Sequence, residues 1–143
     1  MLAKLTLIDQ SIKRRLAFYS FWDFCLWYDE AFFIKRTFLH QVAEAFQDLY
    51  DKYNKGIAIK ISVSMPPRAG KSYITSLFCA WWLAKFPELS VMRNTCTATL
   101  FRKFSYDTRN IVRSKKYKQA FPYIQLADDK QNIDGWNLIT SKQ

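Results

Sequence analysis

The feature that most constrains the fold is a short loop motif, Ser-Met-Pro-Pro-Arg-Ala-Gly-Lys-Ser, at residues 64–72. It follows a run rich in β-branched residues, 56–64, and precedes a run with helical hydrophobic spacing, 70–85. Two successive prolines stop the first run, and Pro87 ends the second. The sequence therefore predicts a strand, a tight loop and a helix in succession, an order that is typical of α/β proteins.

The end of this loop carries the residue types that bind phosphate. Gly70 lets the backbone approach phosphate oxygens, the Lys71 ammonium neutralises their charge, and the Ser72 hydroxyl can ligate Mg²⁺. Prolines have no amide hydrogen, so the backbone donors must come from Arg68 onward. Met65 stands where the pattern G-x-x-x-x-G-K-[ST] has its first glycine. The sequence predicts a polyphosphate site, and the alternative is an ordinary turn and helix start.

The order of elements continues beyond the loop. A second short strand is predicted over residues 89–94 and a helix over 98–112, which gives strand, helix, strand, helix. That alternation implies a parallel sheet with flanking helices joined by right-handed crossovers. Further on, the residues Asp134-Gly-Trp136 predict a turn that leads into another strand near 136–139. Upstream, Ser11 and Thr37 are predicted to cap two helices, the second of which stops near Gly56. We therefore expect an N-terminal helical segment over 1–54 and a partial P-loop core over 55–143.

The loop motif resembles the variant Walker A loop of phage terminase large subunits, the motors that package viral DNA. Four further segments resemble the same family in the same order, so that the likeness extends over roughly residues 38–136. These segments are Trp81-Trp-Leu-Ala-Lys-Phe-Pro87, Thr95-Cys-Thr-Ala-Thr-Leu-Phe101, Arg109-Asn-Ile-Val-Arg-Ser114 and Tyr117-Lys-Gln-Ala-Phe-Pro122.

The resemblance implies an incomplete P-loop NTPase fold with ATP and Mg²⁺ as cofactors. It also implies double-stranded DNA, a terminase small subunit and a portal ring as partners, in the cytoplasm of a bacterial host. Arg68 would sense or stabilise the γ phosphate beside Lys71, and His40 and Gln41 fall where the family places adenine contacts. The nucleotide-binding residues implied are Pro66, Pro67, Arg68, Ala69, Gly70, Lys71 and Ser72, with Lys71 and Arg68 as catalytic candidates and Ser72 as the Mg²⁺ ligand.

The residues that hydrolysis requires after the loop are missing from the pattern. A motor ATPase needs a carboxylate at the end of a hydrophobic strand to hold Mg²⁺ and another to orient the attacking water. Asp128 and Asp129 follow a run interrupted by Gln125, and a solvated loop is the favoured interpretation there. No carboxylate set resembles the family's nuclease. We expect an N-terminal portion of a motor that binds nucleotide weakly and hydrolyses it poorly or not at all.

The charge balance supports an alternative of another class. Lys and Arg number 22 against 12 Asp and Glu, for a formal charge of +10. Part of this excess lies in one stretch, which suits contact with nucleic-acid phosphates but also suits a solvated helix face. The chain could thus be a basic nucleic-acid-binding or protein-interaction domain without nucleotide function, or part of another P-loop motor such as a helicase. The basic residues are Arg102, Lys103, Arg109, Arg113, Lys115, Lys116 and Lys118.

Other features favour structural roles. The aromatic-rich segment 18–33 favours core packing over an exposed contact surface, and Asp23, Asp29 and Glu30 argue against a membrane span there. Three cysteines and one histidine show no metal-ligand spacing, so no structural zinc is expected. Cys79 is predicted to be a small buried side chain on the helix after the loop.

Overall fold

The computed structural model describes the backbone of residues 2–132 and 135–140 and the side chains of 8–127 and 135–140. These ranges contain six helices and two strands, and the chain divides into two compact units, Met1–Ile74 and Thr75–Gln143. The predicted boundary at residue 54 stays a prediction. The elements are α1 (Leu2–Tyr19), α2 (Phe21–Ile34), α3 (Leu39–Asn54), α4 (Lys71–Lys85), α5 (Ala98–Arg113), α6 (Lys115–Ala120), β1 (Ile124–Asn132) and β2 (Gly135–Thr140).

The first unit has an aromatic core between α2 and α3. Phe21, Phe24 and Phe33 are fully buried, as is Leu39 at the start of α3. The ring of Phe21 meets that of Phe46 edge to face, with 5.9 Å between centroids. The sequence prediction that the aromatic segment packs into the core is confirmed for these phenylalanines.

The two predicted helix caps of the first unit are wrong. Ser11 lies in the interior of α1, which begins at Leu2, and α3 begins after Phe38 without a side-chain cap from Thr37. The side chain that does cap a helix here is Ser20, whose Oγ accepts a hydrogen bond from the Asp23 amide at 3.2 Å. A serine or threonine marks a helix start only where the chain has left helical geometry, and spacing alone does not show that point.

The predicted stop of α3 is confirmed in detail. Gly56 is left-handed, with φ of 73°. Its amide donates to the carbonyl of Tyr53 at 2.9 Å, and the Ile57 amide donates to the carbonyl of Lys52 at 3.0 Å. This pair of bonds is the Schellman arrangement, which glycine favours because it has no Cβ to clash in the left-handed region.

The predicted parallel sheet is wrong, and with it the α/β P-loop fold class. Within the described residues, neither 56–64 nor 89–94 forms a strand, and the one sheet pairs β1 with β2 antiparallel. From Ile59 to Met65 the side chains alternate between half-buried and exposed, and none is fully buried. A central strand of a parallel sheet would be buried on both faces. A β-branched segment forms the backbone hydrogen bonds of a sheet only when another strand lies beside it. The sequence of the segment does not specify that partner strand.

The second unit contains the rest of α4 with α5, α6 and the hairpin. Trp81 and Tyr117 are fully buried, and the Tyr117 hydroxyl donates to the carbonyl of Ala80 at 2.8 Å. Tyr123 similarly donates to the carbonyl of Ala84 at 2.9 Å. Thr97 caps α5 through its Oγ1, which accepts from the Leu100 amide at 3.3 Å. The helices predicted over 70–85 and 98–112 are thereby confirmed to within one residue.

The hairpin corrects one prediction and confirms another. The segment interpreted as a solvated loop before Asp128 is part of β1, and the strand predicted near 136–139 is β2. The register is irregular between Leu126 and Gln131, so the alternation that would have marked β1 is broken. The side chains of Asp128 and Asp129 and the turn predicted at Asp134 lie outside the described residues.

Candidate phosphate-binding loop

The loop between residues 66 and 69 is a tight turn. The Ala69 amide donates to the carbonyl of Pro66 at 3.4 Å, and Arg68 is left-handed with φ of 61°. Proline in the second position and a left-handed third residue are typical of a type II turn. Arg68 is the one described residue other than glycine with a positive φ, a conformation that costs energy and often accompanies function.

The helix start follows the turn without a gap. Gly70 has φ of 100°, and its carbonyl accepts the Ile74 amide at 3.0 Å, so α4 begins at Lys71. The amides of Lys71 and Ser72 precede that bond, and such leading N–H groups are directed out of the end of a helix. Both side chains are exposed. Of the five donors expected from Arg68 to Ser72, the Ala69 amide is used within the turn.

Gly70 is required by its surroundings as well as by its backbone. A Cβ at this position would lie 3.0 Å from Cζ of Phe32 and 3.3 Å from Cδ1 of Leu39. The loop therefore lies against the end of α2 and the start of α3, and a methyl group at Gly70 would require Phe32 or Leu39 to shift by a few tenths of an ångström. These two supports are remote in sequence, and the motif itself gives no sign of them.

A half-buried hydrogen bond ties the first turn of α4 to α2. Asp29 leaves helical geometry within α2, with φ of −148° and ψ of 73°, and its Oδ1 accepts the Phe32 amide at 3.2 Å. Its Oδ2 accepts the Tyr73 hydroxyl at 3.1 Å. Desolvation raises the pKa of Tyr73, and the Asp29 carboxylate raises it further. The kink thus supplies an acceptor that holds Tyr73, two residues after Lys71.

Arg36 is a cation near the loop that the sequence did not single out. Its guanidinium lies 4.0 Å from the centroid of the Phe32 ring, and its Nη1 donates to the carbonyl of Phe32 at 3.4 Å. The same ring borders Gly70. The sequence signal for this arrangement is Asp29, an acid inside an apolar helical run. Such a residue indicates a kink in the helix, but it does not indicate that Arg36 lies near the loop.

The residues expected near adenine lie at the start of α3. His40 and Gln41 are exposed and directly follow Leu39, the residue that contacts the position of Gly70. The His40 ring packs edge to face on Trp22 with centroids 4.8 Å apart, and its Nδ1 is 3.8 Å from Oε1 of Glu44. The structure thus brings the start of α3 to the loop, while adenine contact stays a prediction.

The basic stretch belongs to the second unit and is only partly a surface. Arg109 is 7% exposed, and its guanidinium lies 5.9 Å from the centroid of the Tyr106 ring. Burial removes it from any phosphate-contacting surface, because α5 turns this side of the helix toward the interior. The other six basic residues are exposed: Arg102, Lys103, Arg113, Lys115, Lys116 and Lys118.

No metal centre is evident among the described side chains, because no three His, Cys, Asp or Glu residues lie close enough together to hold an ion. Within the same part of the chain, no helix combines the length and apolar character needed to cross a membrane. No protein-family model, curated protein sequence or solved structure matches this chain.

Proposed function

We propose that residues 66–72 bind the polyphosphate of ATP together with Mg²⁺, in a chain that is the N-terminal portion of a terminase-like DNA-packaging motor. The observation that carries the proposal is the succession of left-handed Arg68, left-handed Gly70 and a helix that starts at once with exposed Lys71 and Ser72. The packaging assignment, with its small subunit and portal partners, rests on the loop motif and the ordered segments that resemble terminases.

The physical basis is a concentration of positive charge and backbone donors. Alternation of left- and right-handed residues turns successive N–H groups toward a common concave side, which is a recurrent anion site. The leading end of α4 adds the positive end of the helix dipole. In this proposal Lys71 neutralises the β and γ phosphates, Ser72 ligates Mg²⁺ and Arg68 contacts the γ phosphate.

Support for the loop comes from helices rather than from a parallel sheet. Phe32 and Leu39 form the surface under Gly70, and the Tyr73 hydroxyl bond to Asp29 fixes the first turn of α4. None of these groups positions an attacking water, and no acidic cluster occurs among the described side chains. We therefore propose nucleotide binding with little or no hydrolysis by this chain alone.

A melting experiment tests this proposal. Mg²⁺–ATP and Mg²⁺–ADP should raise the melting temperature, because a ligand at 100 times its Kd adds about 2.7 kcal/mol to the free energy of unfolding. Lys71→Ala should abolish the rise. Lys60→Ala, which removes another exposed lysine of the same unit, is the matched control and should retain it. A rise that survives Lys71→Ala, or no rise in the native chain at saturating nucleotide, contradicts the proposal.

The six exposed basic residues of α5 and α6 favour a second candidate, contact with double-stranded DNA. Such contact acts through phosphates, so affinity should fall steeply with salt and depend little on sequence. A triple Lys115, Lys116 and Lys118 to Ala variant should weaken binding and flatten the salt dependence by roughly two to three units of slope. Binding with an unchanged salt slope would exclude this surface. The chain is better described as a basic nucleic-acid-binding domain if two results occur together. The triple variant loses DNA binding, and nucleotide does not raise the melting temperature of the native chain.

A further inference from the structure

The second unit contains a cavity of about 430 Å³ that belongs to neither candidate site. Its lining residues all fall between 79 and 138, on α4, α5, β2 and the segment that joins α4 to α5. Cavities that hold small organic ligands are commonly 300–1,000 Å³, with aromatic and aliphatic walls and a few polar groups that orient the ligand. The cavity has this size, and its lining combines aromatic and aliphatic side chains with polar groups.

One part of the wall is flat and apolar. Phe101 and Phe104 come from α5 and Trp136 from β2, and the Trp136 indole donates to Oγ of Ser105 at 3.2 Å. That bond fixes the orientation of the indole ring in the wall. Aromatic faces and edges of this kind favour a planar ring as occupant.

One cationic side chain enters the wall. The Arg93 guanidinium lies 4.0 Å from the centroid of the Phe104 ring, and its Nη1 donates to Oγ of Ser76 at 2.8 Å. Stacking and hydrogen bonding together fix its plane, and a guanidinium has five N–H donors, so it can bond a serine and a carboxylate together. Arg93 is half-buried, and this burial lowers the pKa of its guanidinium.

The acidic and nucleophilic side chains near the cavity limit the chemistry that it can support. Glu88 lines the cavity but is exposed, and Asp107 on α5 acts on Arg93 at a distance. Water screens the Glu88 charge more than it screens the half-buried guanidinium. Cys79 also lines the cavity, and burial raises the pKa of its thiol, which disfavours the reactive thiolate. We therefore consider non-covalent binding of a ligand in this cavity.

We propose that this cavity binds a small aromatic carboxylate, its ring between the walls of Phe101, Phe104 and Trp136 and its carboxylate on Arg93. A charge-assisted bidentate bond gives the preference for an acid over a neutral molecule of the same shape. The proposal is independent of nucleotide binding, because every group in it belongs to the unit Thr75–Gln143.

Cinnamate and cinnamyl alcohol, which share a planar ring and differ in charge, provide the test with the full chain. Cinnamate should bind about tenfold more tightly than the alcohol, as expected for one charge-assisted bond. Binding should shift the indole N–H resonance of Trp136 saturably. Equal affinities, or no shift at Trp136, would overturn the proposal.

Two matched pairs of variants separate this site from general binding. Arg93→Gln should reduce the affinity for cinnamate to that for the alcohol, whereas Arg102→Gln, an exposed arginine outside the cavity, should not change it. Val91→Trp should block the cavity and abolish binding of both molecules. Met92→Trp, at a neighbouring residue that is 85% exposed and does not line the cavity, should leave binding intact.

If Arg93→Gln fails to fold, the tryptophan pair and the comparison of the two ligands still decide the result. Retained preference in a folded Arg93→Gln variant, or unchanged binding in Val91→Trp, would show that cinnamate binds elsewhere.

Discussion

The loop of the first unit and the cavity of the second are built in opposite ways. The loop is seven consecutive residues, 66–72, and its proposed phosphate binding is inferred from the order of the amino acids. The cavity combines single side chains spread over about sixty positions, such as Cys79, Arg93 and Trp136. A local motif can be found in the sequence, whereas a site made by tertiary packing forms only when the fold brings its residues together.

The contrast is less complete when the supports of the loop are included. Gly70 lies against Phe32 and Leu39, and Tyr73 is held by Asp29, all from helices far back in the chain. The motif therefore predicts which residues would contact phosphate, but it predicts none of the residues beneath them. Both regions depend on tertiary contacts, and variants can measure how strongly each does so.

The largest effect is expected in the core of the second unit. Trp81→Ala should lower the free energy of unfolding by about 3–5 kcal/mol, because it empties a fully buried site. Chemical denaturation measures the change. Trp82→Ala, which truncates a half-buried neighbour on the same helix, is the control and should cost clearly less. Equal losses would show that Trp81 is not the principal core residue of α4.

A pair of glycines tests how closely the loop depends on its supports. Gly56 and Gly70 are both left-handed, so alanine at either should cost about 1–2 kcal/mol from backbone strain. A Cβ at Gly56 meets nothing within 4 Å, whereas one at Gly70 meets Phe32 at 3.0 Å. Gly70→Ala should therefore cost about 1–3 kcal/mol more, measured by denaturation.

Nucleotide binding should separate the same two glycines. Gly70→Ala should also reduce the nucleotide-induced rise in melting temperature, because a Cβ is strained at this left-handed φ and presses on Phe32 and Leu39. Gly56→Ala should retain that rise. If the two variants lose equal stability and both bind nucleotide, the result contradicts the close packing of Gly70 on α2 and α3.

The smallest changes in the free energy of unfolding are expected when one tyrosine hydroxyl is removed from each unit. Tyr117→Phe and Tyr73→Phe each delete one hydrogen bond, to Ala80 and to Asp29 respectively. Each should cost about 1 kcal/mol in denaturation experiments, with the larger loss at Tyr117 because it is fully buried. A larger loss at Tyr73 would indicate that the kink at Asp29 matters more than the core bond.

The same tyrosines give a pH dependence with a defined sign. Burial raises the pKa of both phenols above the ordinary value of 10.0, so the folded state holds their protons more tightly than the unfolded state does. Their contribution is fully present below pH 10.0 and is lost as pH rises above it. Stability should therefore fall in alkaline solution, less steeply in either phenylalanine variant. An identical profile in all three proteins would contradict the burial of these groups.

Local rules predicted the elements better than their assembly. Apolar spacing and punctuation located α4, α5 and the stop at Gly56, because these depend on neighbouring residues. The parallel sheet failed because strand formation over 56–64 needs a distant partner that spacing cannot reveal. β1 was missed because Gln125 interrupts a continuous apolar run and because the register of the strand shifts between Leu126 and Gln131. The cavity was missed because its lining residues are far apart in sequence. Arg36 was missed because Phe32, the ring it stacks on, borders Gly70 only in the folded chain.

The amide resonances of the two left-handed glycines test most directly whether the backbone from Arg68 to Ser72 binds a triphosphate. During titration with Mg²⁺–ATP, the Gly70 amide should show a large saturable shift, along with its neighbours through Ser72, while Gly56 stays unchanged. If Gly70 moves no more than Gly56, or if the shifts concentrate at Lys115, Lys116 and Lys118, the phosphate site is not at this loop.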